Sequence, residues 1–351
     1  MFELDKITRK NIRALVPYSS ARDEYKGAEG IFLDANENSY GSPSLPTDYH
    51  RYPDPLQLKL KEKLARIKGV PVQNTFLGNG SDEAIDILFR AFCEPGVDNV
   101  ITCPPTYGMY EVAARINDVE VQQADLLPET FQLDVQKVLA TVNDRTKLVF
   151  VCNPNNPTGN AMDAGDVKTI LDGFSGLVVV DEAYINFSAY PSFIPELRKY
   201  PNLVVLQTLS KAWGLAGLRI GIAFASQQII EVFNRVKAPY NINSVSQELA
   251  GKALDDIELV NHSIFELAGE RKKLAANLEE FPFVQKVYPS QANFLLVKMK
   301  DARAVYDFLA SRKIIVRDRS KMPLCAGCLR ITVGTHEENI RLVDSLKEFK
   351  V

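Results

Sequence analysis

The chain has 351 residues, 46% of them apolar and 24% charged, with a formal net charge of −3. That length exceeds what one simple core holds, so two domains are expected, and the composition is that of an ordinary globular protein. The near-neutral charge gives no basic footprint for nucleic acid, and no apolar run reaches the ~18–20 residues of a membrane span.

Residues 1–35 read as an N-terminal arm, in which Pro17, Gly27 and Gly30 interrupt any periodicity. The start, Met1-Phe2-Glu3-Leu4-Asp5-Lys6, lacks a basic stretch followed by an apolar one, so no signal peptide and a cytoplasmic location are expected. A proline-rich loop with Pro43, Pro46, Pro53 and Pro55 follows. Asp54 then reads as a helix cap with Pro55 at the first helical position. Leu56, Leu60, Leu64 and Ile67 share one face, and Gly69 is the stop. Up to about Ala225, short apolar runs alternate with helical patterns such as Asp82–Cys93 and Tyr107–Asn117. Strands are expected at Asn99–Cys103, Val119–Gln122, Lys147–Cys152, Leu177–Val180, Leu203–Gln207 and Arg219–Phe224. This order predicts an α/β fold with a mostly parallel sheet. The largely apolar runs at 147–152, 177–180 and 203–207 suit strands with helices on both faces. Helical patterns near 244–256 and 258–279 lead out of it. The C-terminal end reads as a smaller α+β domain: strand Asn293–Lys298, helix Ala302–Ser311, strands Ile314–Arg317 and Leu329–Val333, and a closing helix from His336. The expected divisions are 1–35, 36–255 and 256–351. No internal repeat is visible, which excludes a solenoid.

The five cysteines, at 93, 103, 152, 325 and 328, are odd in number, which argues against a closed disulfide framework. Cys325-Ala326-Gly327-Cys328 has C-x-x-C spacing. It runs straight into an apolar strand, not into the helix N-terminus that would stabilise a thiolate. No further ligands have zinc spacing, so the pair reads as structural and no metal is expected.

Polar residues gather behind the apolar runs. In an open α/β sheet, ligands bind beyond the carboxyl ends of the strands. Asn153-Pro154-Asn155-Asn156-Pro157-Thr158-Gly159 follows one strand, Asp181-Glu182-Ala183-Tyr184 the next, and Ser210-Lys211 a third. If these strands run parallel, the three clusters face one crevice. A lysine at the end of a buried strand loses solvation, which lowers its pKa, and a neutral amine attacks carbonyls to form a Schiff base. Ser210 and Arg219 suit a phosphate, so Lys211, hydroxyl and guanidinium together describe a seat for pyridoxal phosphate. Asp181 needs a partner if it is buried, and a protonated pyridine nitrogen is one; read alone it is a helix N-cap. Asn156 and Tyr184 can hydrogen-bond a phenolate oxygen across such a ring, while the Asn153–Gly159 run also has the composition of a tight turn. Gly78-Asn79-Gly80-Ser81-Asp82-Glu83 opens a helix whose N-terminus can hold an anion, or in which Ser81 is simply the N-cap. Tyr107, after Pro104-Pro105-Thr106, can stack on a planar ring or belong to the core.

These motifs occur in an order that resembles the fold-type-I pyridoxal-phosphate-dependent aminotransferases. Leu33-Asp34-Ala35-Asn36-Glu37-Asn38, Arg51-Tyr52-Pro53-Asp54-Pro55, Thr208-Leu209-Ser210-Lys211 and Gly217-Leu218-Arg219-Ile220-Gly221 complete the set. Ile315-Val316-Arg317-Asp318 and Cys328-Leu329-Arg330-Ile331-Thr332-Val333-Gly334 resemble the class-II branch that acts on histidinol phosphate. The resemblance covers essentially the whole chain. It implies that Lys211 binds the cofactor covalently and shuttles a proton, and that Asp181 meets the pyridinium nitrogen. It further implies that Asn156 and Tyr184 bond the 3′-oxygen and that Tyr107 stacks on the ring. Ser81, Asp82, Thr208, Ser210 and Arg219 hold the phosphate, joined by Tyr52 from the partner of a homodimer. Tyr18, Asn36, Arg317 and Arg330 serve the substrates, histidinol phosphate and glutamate or 2-oxoglutarate. A threonine-phosphate decarboxylase and an aromatic or general aminotransferase of the same fold share much of the pattern. A cofactor-binding transcriptional regulator would need an added DNA-binding module, and the motifs begin too early, near Leu33, to leave room for one.

Overall fold

The computed structural model describes residues 2–17, 30–44 and 49–350. Its larger sheet has seven strands: β1 (Thr75–Asn79), β2 (Asn99–Thr102), β3 (Glu120–Gln123), β4 (Thr146–Cys152), β5 (Leu177–Asp181), β6 (Leu203–Thr208) and β7 (Ile220–Phe224). Their spatial order is β1-β7-β6-β5-β4-β2-β3, and β7 alone runs against its neighbours.

Every residue of β5, β6 and β7 is buried, and β4 is buried except at Lys147. The period-2 alternation of a strand divides these residues between two apolar layers. Val149, Val151, Val178, Val180 and Val205 pack in the layer with the Leu58–Lys68 and Ala164–Gly173 helices. Leu148, Phe150, Val179, Val204 and Leu206 pack against the Ser81–Phe92 and Gln227–Val236 helices on the other face. This is why the central strands read as unbroken apolar runs.

A second sheet, ordered β10-β11-β9-β8, is antiparallel throughout: β8 (Val284–Val287), β9 (Phe294–Met299), β10 (Arg317–Asp318) and β11 (Cys328–Thr332). Leu274 and Leu278 of the long Ile257–Glu279 helix, with Leu342 and Leu346 of the His336–Lys347 helix, close its core. Thr335 and Glu338 form a reciprocal capping box at the start of that last helix.

Several boundaries depart from the sequence expectation. β1 and β8 have no counterpart among the expected strands: β1 is short and carries a glycine, and β8 is half exposed. The expected strand at 314–317 shrinks to Arg317–Asp318, because pairing with β11 begins only at Arg317 and Ile315 stays exposed. The helix expected from Pro55 starts at Leu58. Asp54 instead organises the turn before it, accepting from Leu56 N at 2.8 Å and Leu58 N at 2.6 Å, while Gln57 takes a left-handed φ of 51°. Ser81 is not an N-cap: Gly80, at φ 78°, precedes the helix and Ser81 is its first residue. All five cysteines are free and buried.

Candidate active site

β4, β5 and β6 are parallel neighbours, so the three polar clusters emerge at one edge of the sheet. They line a single pocket together with Gly80, Ser81, Asp82, Tyr107 and Arg219. A roomier groove of about 750 Å³ lies between residues 13–17 and 231–239, but its one lysine, Lys237, is held by three backbone carbonyls.

Asp181 is the last residue of β5 and is 3% exposed. Burial pushes its carboxyl above the usual range, and hydrogen bonds from Tyr110 and from the Ala183 amide oppose that shift. No α-helix follows, so Asp181 is not the cap of one. Its neighbour Glu182 points into the other layer, where Ser192 Oγ, Phe193 N and Gln207 Nε2 donate to it at 2.6, 2.6 and 2.8 Å.

Asn155, not Asn156, makes the Asn153–Gly159 loop rigid. Asn155 Nδ2 donates to Pro105 O at 2.8 Å and to Thr158 Oγ1 at 2.7 Å, and Thr106 Oγ1 donates to Asn155 Oδ1. Gly159, at φ 81°, lies so close to Ser290 that an added Cβ would sit 2.6 Å from its Oγ. Asn156 is thereby left free to face the pocket, where its Oδ1 accepts from Arg330 Nη1 at 2.6 Å. The turn and the binding reading of this loop hold together.

Tyr184 is buried, edge-on to Phe294 at 5.1 Å. Lys211 Nζ stands 5.6 Å from the Tyr184 ring centroid. Lys211 is less enclosed than a strand-end position suggests: β6 stops at Thr208 and the lysine is exposed to the cleft. Its ammonium pKa is still lowered, first by desolvation and then by the Arg330 charge, with Arg219 adding to the effect and Asp181 opposing it.

The phosphate end is built by close backbone approach. Gly80 N donates to Arg219 O at 2.9 Å, and Arg219 itself takes a left-handed φ of 55°. A Cβ on Gly80 would stand 2.5 Å from Arg219 Nη2. Asp82 currently occupies Arg219, at 3.3 Å, and accepts from Tyr107 O–H at 3.2 Å. The Thr208 hydroxyl donates to Ile220 O and receives Ser210 N–H, so it holds the loop as well as lining the pocket.

Arg317 and Arg330 are direct cross-strand partners. Like charges opposed across a ladder are unfavourable unless an anion sits between them. Arg319 continues the ladder through its N–H to Cys328 O, so it falls two residues further along the same side as Arg317. The Nε atoms of Arg319 and Arg330 are buried without a hydrogen-bond partner, and each guanidinium has its pKa lowered by burial and by a neighbouring arginine.

Four expected site residues stand apart from the pocket lining. Arg330 touches it through Asn156, and Arg317 is exposed beside Arg330. Asn36 is exposed at φ 56°. Tyr52 is half exposed and stacks on Tyr240 at 4.5 Å. Glu37 joins the two N-terminal motifs, pairing with Arg51 at 2.6 Å and accepting Tyr52 N–H at 2.7 Å. Tyr18 lies outside the described residues. Sequence reasoning missed Tyr110 and Arg319. The second tyrosine three residues after Tyr107 and the second arginine two after Arg317 were the available signals.

The family model for "Aminotransferase class I and II" matches residues 34–346. The chain is 53% identical over 351 residues, 100% of both chains, to a histidinol-phosphate aminotransferase of Parabacteroides distasonis. It is also 53% identical over 348 residues, 99% of each chain, to one of Cytophaga hutchinsonii. Among solved structures it is similar to histidinol-phosphate aminotransferase from Sinorhizobium meliloti in complex with pyridoxal-5′-phosphate. The TM-score is 0.78 at 27% identity, covering 90% of this chain and 89% of that one.

Proposed function

The chain belongs to the aminotransferase class I and II family, and we propose that it moves an amino group between L-histidinol phosphate and 2-oxoglutarate. The products are imidazole acetol phosphate and L-glutamate, a step of histidine biosynthesis. The observation that carries the substrate reading is the arginine face beside the pocket. Arg330 reaches Asn156, its cross-strand partner is Arg317, and the facing charges want an anion. Two half-reactions share one site, which must take a carboxylate in one and a phosphate in the other. A guanidinium fork suits both groups.

The residues present fit pyridoxal phosphate. A buried carboxylate at one end of the pocket wants a cationic partner, and an arginine and a helix N-terminus at the other want an anion. When bound, the cofactor supplies an electron sink that makes the proton on the substrate's Cα removable. The amides of Ser81 and Asp82, the hydroxyls of Thr208 and Ser210, and Arg219 would hold its phosphate. Asp181 would hold a proton on the ring nitrogen, Asn156 and Tyr184 would bond the 3′-oxygen, and Tyr107 would cover the ring face. Lys211 would bind the cofactor covalently and would later take the Cα proton; burial first, and then the neighbouring Arg330 charge, favours its neutral form. Tyr18 and Asn36 would complete the substrate side.

The assembly we propose is a homodimer in which Tyr52 serves the partner's cofactor phosphate. Its support is the pinning of the exposed Tyr52 by Glu37, whose own segment also exposes Leu33 and Tyr40. The divisions 1–35, 36–255 and 256–351 are the arm and the two domains of that protomer. Five unpaired cysteines suit a cytoplasmic setting.

An absorbance-monitored half-reaction tests the substrate. Histidinol phosphate should convert the holoenzyme to its amine form in one turnover. Carbon dioxide release from threonine phosphate would establish a decarboxylase instead, and equal reaction with aromatic amino acids a general aminotransferase. Mixing Tyr52→Ala and Lys211→Ala chains tests the dimer: activity should partly return, because both defects fall in one of the two sites. No recovery after demonstrated subunit exchange removes Tyr52 from the shared site.

A further inference from the structure

The Asp181 carboxylate takes two hydrogen bonds from its own chain, and one comes from a residue that no motif marks. Tyr110 O–H donates to Asp181 Oδ2 at 2.7 Å, and Ala183 N–H donates to Oδ1 at 3.1 Å. Tyr110 is completely buried. Its ring is fixed in place, stacked on Phe150 at 4.7 Å and 15°, and edge-on to Tyr107 at 5.5 Å and 84°. Tyr107 lines the pocket and Tyr110 does not. Tyr110 therefore acts on the chemistry only through the residues it touches, and its hydroxyl donates to Asp181.

The groups acting on Asp181 can be weighed. Burial raises its pKa. The Tyr110 hydrogen bond is the largest opposing influence, followed by the Ala183 amide, with Asp82 raising and Lys211 lowering it further. Tyr110 is pushed well above the ordinary phenol range by burial and by Asp181, so it keeps its proton. The neighbouring Cys152 thiol is likewise pushed up and stays neutral. A carboxylate that accepts such a donor is a weaker base than a bare one in the same place.

We propose that Tyr110 is a positioning residue that keeps Asp181 ionised and aimed, so that Asp181 can hold a proton on the cofactor's ring nitrogen. This rests on the reading in which Asp181 meets that nitrogen. Without the phenol, Asp181 becomes the stronger base and draws the ring proton onto its own oxygen. A pyridinium–carboxylate pair becomes a pyridine–carboxylic acid pair, with no atom gained or lost. The ring then withdraws fewer electrons, and the protonated link between Lys211 and the cofactor keeps its proton to higher pH.

The test is Tyr110→Phe, which keeps the ring and its stacking and removes only the donor. The visible absorbance of the bound cofactor is followed against pH, with steady-state kinetics alongside. The absorbance titration should move up by about 0.5–1 pH unit. The turnover rate should fall by roughly 10-fold or more, with KM for both substrates within about twofold, since neither substrate touches Tyr110. Adding Tyr110→Phe to Asp181→Asn should change nothing further, because the amide has no basicity left to tune. A Tyr110→Phe enzyme that titrates like the parent overturns the proposal. So does an equal loss in both backgrounds, which would mark a packing role. An Asp181→Asn enzyme that titrates like the parent removes Asp181 from the ring nitrogen; that failure of the underlying reading shows without any Tyr110 variant.

Discussion

Gly221 has no functional group, yet its replacement should cripple cofactor binding. It lies in β7, paired with Gly78 of β1 on one side and Thr208 of β6 on the other. A Cβ added there would stand 2.0 Å from Ser81 N, 2.2 Å from Gly80 C and 2.5 Å from Gly80 O. Ordinary van der Waals contact begins at 3.4 Å, so the Gly80–Ser81 turn would have to retreat by roughly 1.4 Å. All three atoms are backbone and none can swing aside. The turn carries the first amides of the Ser81–Phe92 helix, which would donate to the cofactor phosphate. Losing one or two hydrogen bonds to a charged group, at about 1.5–3 kcal/mol each, weakens binding roughly 10- to 10,000-fold. The chain's one tryptophan, Trp213, is two residues beyond Lys211 and largely buried, so its fluorescence can follow titration of the apoenzyme with pyridoxal phosphate. Gly217→Ala is the control, because a Cβ there meets nothing within 4 Å. If Gly221→Ala folds and binds the cofactor as tightly as the parent, the close-approach reasoning is wrong.

Borohydride reduction of the holoenzyme followed by peptide mapping should label Lys211, and Lys211→Ala should lose turnover while still binding cofactor noncovalently; a label on another lysine refutes the assignment. Arg317→Ala should weaken histidinol phosphate by about 10- to 100-fold and glutamate much less, whereas Arg330→Ala should weaken both; single-turnover titrations separate the two, and equal losses in Arg317→Ala would leave no dedicated phosphate contact. Glu182 is buried and its carboxyl is pushed up to about 7, with desolvation as the largest cause. Because that value lies above the unfolded one, the stability it contributes is present below the unfolded pKa and lost as pH rises through 7. The swing is at most about 3 kcal/mol, so urea melts at stepped pH should show a decline between pH 5 and 7.5 that Glu182→Gln flattens; an unchanged slope in the variant rules this out.

Much of the pocket was legible because each part is local. Lys211, Asp181, Tyr184 and Asn156 each follow an apolar run within a few residues, and parallel strands bring run ends to one edge whatever the details of packing. The same locality made the helices at 302–311 and 336–347 readable, where periodicity and caps agree. It failed where one residue's conformation is set by distant contacts. β1 reads as a glycine-containing turn until β7 pairs with it, and the strand expected at 314–317 is cut short by where β11 can reach it.

What the sequence by itself determined was the alternation of buried strands and amphipathic helices, and the chemistry at the strand ends. Only the tertiary structure decided which groups meet across long stretches of chain. β7 lies between β1 and β6, and that order presses Gly221 against the Ser81 amide and sets Arg219 against Gly80. The packing of the Met109–Ile116 helix against β2, β3 and the Ser81–Phe92 helix delivers Tyr110 to Asp181, which is 71 residues away in the chain. The pairing of β10 with β11 stacks arginine against arginine. Hydrophobic periodicity encodes which face of an element is buried, but not which partner covers it. The partner is chosen by the packing of all the faces at once.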